Sequence, residues 1–351
     1  MIVGAAGVLF AVAGVAATNI EVTRELSLSA DGGGLSRPYV SDSIAVGENP
    51  EHLALYGSTA FVADLNGTVR VVDLGTSTVQ GTIPAAANDW TAVGLVVDER
   101  SHTLVMAVND RAGKGHLVLI DAVTRQTGGI VPLGRESNGA MAIDPGLRAV
   151  YVTAGDDGAP QSVVAVDLDT RSVTGEFALD AAPGPIAVDR DTHSVYVSGY
   201  SGVWIFDGVT GTRTGTIDTI ALGLAVHAGK LYATNDDPHE DAITPYNTVL
   251  TIVDLSTRAV TATVRSRKLG HDIAFDTSTG IVYVTNAYVN GLDPLGTCSS
   301  GFLTLVDPLR GASVDLVCLG GATGRGTPTV IDPVTHRAYV LAGDNLLVVT
   351  P

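Results

Sequence analysis

Among the dipeptides of this sequence that join an imidazole to a carboxylate are Glu51–His52 and His271–Asp272. Imidazole titrates near neutrality, and an adjacent carboxylate can orient it, share its proton or join it on a cation. Such pairs suit general acid–base chemistry or a divalent metal. Arg325, with Thr327 close behind it, adds a guanidinium of the kind that steadies an anionic oxygen. A second group of donors lies in the stretch NDDPHEDAITPYN (235–247), where Asp236, Asp237, His239 and Glu240 include hard oxygen ligands of the type Ca2+ takes. That stretch lacks the full spacing of a helix–loop–helix calcium loop, so its plainer reading is a solvated acidic loop. Trp90, beside Asp89, offers either a stacking face for a sugar or aromatic ligand or a packing surface within the fold.

Several familiar chemistries have no motif here. The chain contains no Gly-x-Ser-x-Gly, His-Glu-x-x-His, phosphate-binding Walker loop or Cys-x-x-Cys. Three further histidines, His102, His193 and His336, each follow an aspartate by four residues (Asp98, Asp189, Asp332) and so belong to a recurring turn.

That recurrence defines the elements that must position the candidate groups. The segments AMAIDPGLRAVYVTAGDD (140–157), PIAVDRDTHSVYVSGYSG (185–202), DIAFDTSTGIVYVTNAYV (272–289) and PTVIDPVTHRAYVLAGDN (328–345) share one plan. In each, an apolar strand reaches an Asp, a polar turn follows, and a Tyr seven positions after the Asp opens a second strand. A second register, VVDLGT, LIDAVT, AVDLDT, IFDGVT and IVDLST, places Asp73, Asp121, Asp167, Asp207 and Asp254 at the ends of further strands, with Asp307 continuing the series. These acids recur with a period near 47 residues; Asp98 repeats the turn with Val105 in the Tyr position, and shortened turns at Phe61 and Tyr232 bring the count to seven units. Each unit reads as strands a, b, c and d of one propeller blade, so the expected fold is an all-β, seven-bladed β-propeller. The last unit stops after its strand c, LLVVTP (346–351), while SDSIAVG (41–47) reads like a strand d. The N-terminal strand is therefore expected to complete the last blade and close the ring.

The YVTA, YVSG, ATND and YVTN segments (151–154, 196–199, 233–236, 283–286), with the VDLxT turns, resemble the YVTN-repeat family of seven-bladed propellers, which includes YncE-like exported proteins. The resemblance covers about residues 40–351 and implies an architecture rather than an activity. In such a ring strand a lines the central channel, and the d-to-a and b-to-c connections share one face, the top. Aligning the strands on their turns brings Glu51 and His52 of the first blade level with His271 and Asp272 of the sixth, and the intervening seventh blade carries Arg325. Those groups then either converge as a site at the top of the channel or form a polar ring around channel water. The long b-to-c insertions at 235–247 and 286–301 rise beside them and suit a binding rim.

Cys298 and Cys318 flank a strand pair, FLTLVD and SVDLVC, joined by a turn around Pro308–Gly311. A hairpin centred near residue 308 would set the two thiols opposite each other, so a disulfide is expected, and with it an oxidising compartment. Residues 2–17 are an uncharged apolar run, short for a membrane span and suited to a signal peptide or weak anchor. The expected organisation is residues 1–17 for export, 18–39 as linker and 40–351 as the propeller. The protein is expected to be secreted, periplasmic or cell-surface, touching membrane only through its N-terminal segment.

Composition narrows the partners. Lys and Arg total 20 against 37 acidic residues, leaving a net charge of −17 with no long basic cluster, which disfavours nucleic acid. The leading expectation is a binding or interaction module whose top face meets a small molecule, glycan, metal or envelope protein. An alternative is a lactonase-like hydrolase or lyase using His52 or His271 as base, with a divalent metal or Arg325 supporting an oxyanion. A third is an envelope scaffold without a small ligand.

Overall fold

The computed structural model describes residues 37–85, 89–236, 247–267, 272–285, 301–320 and 328–351. These residues form seven four-stranded antiparallel sheets and no helix. Blade 1 runs Pro50–Tyr56, Thr59–Asp64, Thr68–Asp73 and Thr78–Pro84. Blade 2 runs Thr91–Asp98, Thr103–Asn109, Gly115–Asp121 and Thr127–Pro132, and blade 3 Ser137–Asp144, Ala149–Ala154, Gln161–Asp167 and Ser172–Leu179. Blade 4 comprises Pro183–Asp189, Ser194–Gly199, Gly202–Asp207 and Arg213–Ile217. Blade 5 comprises Gly223–His227, Lys230–Asp236, Asn247–Asp254 and Ala259–Arg267. Blade 6 holds Asp272–Phe275, Val282–Thr285, Phe302–Asp307 and Ala312–Cys318. Blade 7 takes Thr329–Ile331, Ala338–Ala342 and Asn345–Thr350 from the C-terminus and Tyr39–Ala45 from the N-terminus. The ring is a seven-bladed β-propeller, closed as the repeat pattern predicts.

Burial explains why the strands read as they do. Strands b and c lie between two neighbouring blades and are buried on both faces, so they are almost continuously apolar, as in AFVAD (60–64) and QSVVAVD (161–167). Strand d is the outer edge, and only its last few inward positions, such as Ile83 and Val131, are buried. The core is thus a series of inter-blade clusters. Phe61, Val69 and Val71 of blade 1 meet Leu104, Met106 and Val108 of blade 2. At the seam, Ile44 and Val46 join Tyr339, Leu341 and Leu346 against Leu53, Val62 and Val72 of blade 1. Ladder bonds from Tyr39↔Thr350 to Ala45↔Asn345 cover the strand edge that the C-terminal strand would otherwise expose.

The repeated Asp has a local job. In the c-to-d turn of blade 3, Asp167 Oδ1 accepts the backbone N–H groups of Asp169 (2.9 Å) and Thr170 (2.6 Å), and Arg171 then turns left-handed with φ of 55°. The same geometry recurs at Asp121/Arg125 and Asp254/Arg258. In the a-to-b turns the left-handed residue also reaches backward around the ring. His193 of blade 4 bonds Asp144 of blade 3 (2.7 Å), His336 of blade 7 bonds Asp276 of blade 6 (2.9 Å), and Arg148 of blade 3 pairs with Asp98 of blade 2. All three carboxylates are fully buried. His102 meets the Tyr56 hydroxyl of blade 1 in the same way. The turn histidines therefore fasten one blade to the previous one on the bottom face.

One expectation needs correction. The hairpin of strands c and d in blade 6 pairs Cys318 with Phe302, because the turn lies between Asp307 and Ala312 and the register slips once at Leu305/Val306. Cys298, the other half of the expected disulfide, lies outside the described residues.

Candidate functional site

At the top of the channel the innermost strands of blades 6, 7, 1, 2 and 3 enclose a cavity of about 210 Å3. It is lined by Asp272, Pro328 and Thr329, by His52 and Leu53, by Gly94, Leu95 and Val96, and by Gly139 and Met141. A bulge at Glu51 lies between the pairs Pro50↔Asp64 and His52↔Ala63, immediately before the lining residues His52 and Leu53. Glu51 itself is half-buried and is not part of the lining.

His52 Nε2 donates a long hydrogen bond (3.4 Å) to the Ala92 carbonyl of blade 2. A carbonyl only accepts, so the proton sits on Nε2 and Nδ1 keeps its lone pair. Burial holds the imidazole below its ordinary value, and the Ala92 bond offsets this only partly. Asp272 opens strand a of blade 6 and its Oδ2 accepts the Thr329 N–H of blade 7 at 2.6 Å. Burial pushes its carboxyl up to about 6, against the lowering effect of the Thr329 and Ile273 N–H groups. The site thus holds a neutral imidazole and a carboxyl that gains a proton within reach of physiological pH.

The opposite wall is built of backbone. Blades 2 and 3 approach so closely that a Cβ on Gly94 would collide with the Gly139 carbonyl, and a Cβ on Gly139 with the Val93 carbonyl. Gly139 also has φ of 88°, which L side chains rarely adopt. Bulges at Ala92/Gly94 and Ser137/Met141 bring these glycines to the lumen. Strand alternation alone does not reveal them, since each bulge breaks the two-residue period; the glycines stand out only when the strands are aligned on their turns.

Trp90 is half-buried on the top face. Its indole stacks on His116 of the same blade, with centroids 4.5 Å apart and planes at 16°, and it packs against the cluster between blades 1 and 2. His116 Nε2 in turn bonds Asp110 (3.1 Å). Trp90 does not line the channel cavity. Asp236 ends strand b of blade 5, while Asp237, His239, Glu240, His271 and Arg325 lie outside the described residues. Among the described residues no three His, Cys, Asp or Glu side chains group as a metal site.

No family model matches the chain, and no curated protein matches it in sequence. Among solved structures it is similar to Kuenenia stuttgartiensis hydrazine synthase, with a TM-score of 0.65 over 87% of this chain and 96% of that one. Identity is 15%, so the likeness is one of fold.

Proposed function

We propose that the protein is a binding module that takes a small molecule into the top of its propeller channel. The supporting observation is that two titratable groups, His52 and Asp272, line one cavity although they come from the first and sixth blades. At about 210 Å3 the cavity is smaller than the roughly 300–1,000 Å3 of drug-sized pockets, which suits a ligand of few heavy atoms. The test is ligand-detected NMR with a mixture of small amines, alcohols, acids and sugars on the wild type and on a cavity-filling Met141→Trp variant. Binding that disappears in Met141→Trp supports the reading, and a mixture with no component sensitive to that change overturns it.

Export belongs to the same proposal, supported by the apolar run at residues 2–17, as does membership of the YVTN-repeat propellers, supported by the recurring YVT segments. A second reading, a hydrolase or lyase, draws on an imidazole held below its ordinary value and a carboxyl raised to about 6 in one cavity, since groups that titrate near neutrality suit general acid–base work. Turnover of a lactone panel, lost in His52→Ala, is its test.

A further inference from the structure

We infer that the cavity is a site for a small organic ammonium ion, whose charged nitrogen sits against Asp272 and whose short apolar body packs on Leu53, Leu95, Val96 and Met141. The inference rests on the small-ligand reading above and names its chemistry.

The carboxylate is the starting point. Asp272 accepts N–H groups from Thr329 and Ile273, both backbone, and no Lys, Arg or His side chain pairs with it among the described residues. A carboxylate has about four acceptor sites, so two such bonds leave capacity for another donor. No counter-ion faces this carboxylate among the described residues, and a bound cation would remove the penalty of placing the anion in the wall. The other titratable lining group does not supply the cation, because burial keeps His52 neutral. A neutral imidazole is instead a second acceptor for an ammonium N–H.

The remaining walls select the rest of the molecule. Leu53, Leu95, Val96, Met141 and Pro328 are apolar, and the glycines open space without adding charge. An anion would face Asp272 with no cationic lining residue to meet it among the described residues, in a protein of net charge −17. A divalent metal would find two side-chain ligands in the described lining, where zinc or calcium sites use three or more.

Isothermal titration with n-butylammonium, n-butanol and butyrate on the full chain tests the inference, alongside Asp272→Asn and Met141→Trp. Asparagine keeps an acceptor for the Thr329 N–H, and circular dichroism melting checks that each variant folds. The expected result is that butylammonium binds at least tenfold more tightly than butanol, that butyrate does not bind, and that both Asp272→Asn and Met141→Trp lower the butylammonium affinity tenfold or more. Equal affinity for amine and alcohol, tighter binding of butyrate, or unchanged amine affinity in Asp272→Asn overturns it. If neutral or anionic molecules bind and respond to Met141→Trp while the amine does not, the ammonium assignment fails and the small-ligand reading stands. If none of the probes responds to Met141→Trp, neither survives. Displacement of butylammonium by equimolar Zn2+ or Ca2+ with stronger binding in the same cavity also counts against the inference.

Discussion

Replacing Arg148 by alanine probes how the blades are held in register. Arg148 is less than a quarter exposed and spans Asp98 of blade 2, whose side chain is fully buried, and Asp169 of its own blade. Removing one partner of a buried ion pair costs about 3–5 kcal/mol, because the other charge stays behind uncompensated. Here Asp98 keeps hydrogen bonds from Ser101 Oγ (2.6 Å) and the Arg100 N–H (3.1 Å), so the low end, about 3 kcal/mol, applies. Backbone geometry supplies an internal control. Arg148 has φ of 56°, and a left-handed conformation costs an L residue about 1–2 kcal/mol that glycine does not incur. Arg148→Gly should therefore be about 2 kcal/mol less stable than wild type, and Arg148→Ala about 3. At about 2–4 °C per kcal/mol, the alanine variant should melt about 6–12 °C lower. Urea unfolding followed by circular dichroism, with Asp98→Asn and the double variant closing a cycle, reads the coupling directly. A loss under 1 kcal/mol in Arg148→Ala, or a glycine variant less stable than the alanine one, refutes the inter-blade clasp.

Four further outcomes follow from the same geometry. Because the folded carboxyl of Asp272 is raised to about 6, above its unfolded value, its contribution is fully present at low pH and is lost as pH rises through 6. Asp272→Asn should therefore raise stability by about 1–3 kcal/mol at pH 8 and by little at pH 4, and an equal effect at both pH values would contradict the burial argument. Gly139→Ala should cost about 2–5 kcal/mol from backbone strain and collision with the Val93 carbonyl, measured by denaturant unfolding; a neutral substitution would mean that blades 2 and 3 do not meet backbone to backbone there. Deleting residues 37–47 uncovers the edge of strand Asn345–Thr350 and should produce unfolded or oligomeric protein by size-exclusion chromatography, and a stable monomer would exclude closure by the N-terminal strand. Thiol titration of the denatured protein should reveal two thiols only after reduction, and two reactive thiols without reductant would remove the disulfide linking Cys298 and Cys318.

What the sequence makes legible is what repeats locally. The Asp-x-x-Thr turns, the doubly buried b and c strands and the missing last strand all lie within one period, so a single chain contains seven trials of the same pattern. His52 and Asp272 stand out for the opposite reason, as titratable residues at strand positions where other blades carry none. The clasps are not legible in this way. Arg148 to Asp98, His193 to Asp144 and His336 to Asp276 join residues about fifty positions apart through side chains of different chemistry, and only the left-handed backbone is common to them. The hairpin register of Cys318 fails for a related cause. Its turn is centred beyond Pro308, and the bulge at Leu305/Val306 adds a slip that residue counting does not see.

The difference between the two faces locates the function more firmly than any one residue. On the bottom, left-handed turns recur and side-chain clasps join blades 1 to 2, 2 to 3, 3 to 4 and 6 to 7, which constrains the angle between those neighbours. The top is free of that constraint, and it is there that the blades diverge. Four residues before the a-to-b turn position (Tyr56, Asp98, Asp144, Asp189, His227, Asp276 and Asp332), the ring carries His52, Gly94, Ala140, Pro185, Gly223, Asp272 and Pro328, so the titratable groups at this level fall on blades 1 and 6. The Gly94 and Gly139 backbones add room to the cavity that these groups line. A channel filled only for stability would be expected to repeat its layers, as the bottom turns do; this one concentrates an acid, an imidazole and space in one sector, the arrangement that binding a small asymmetric molecule requires.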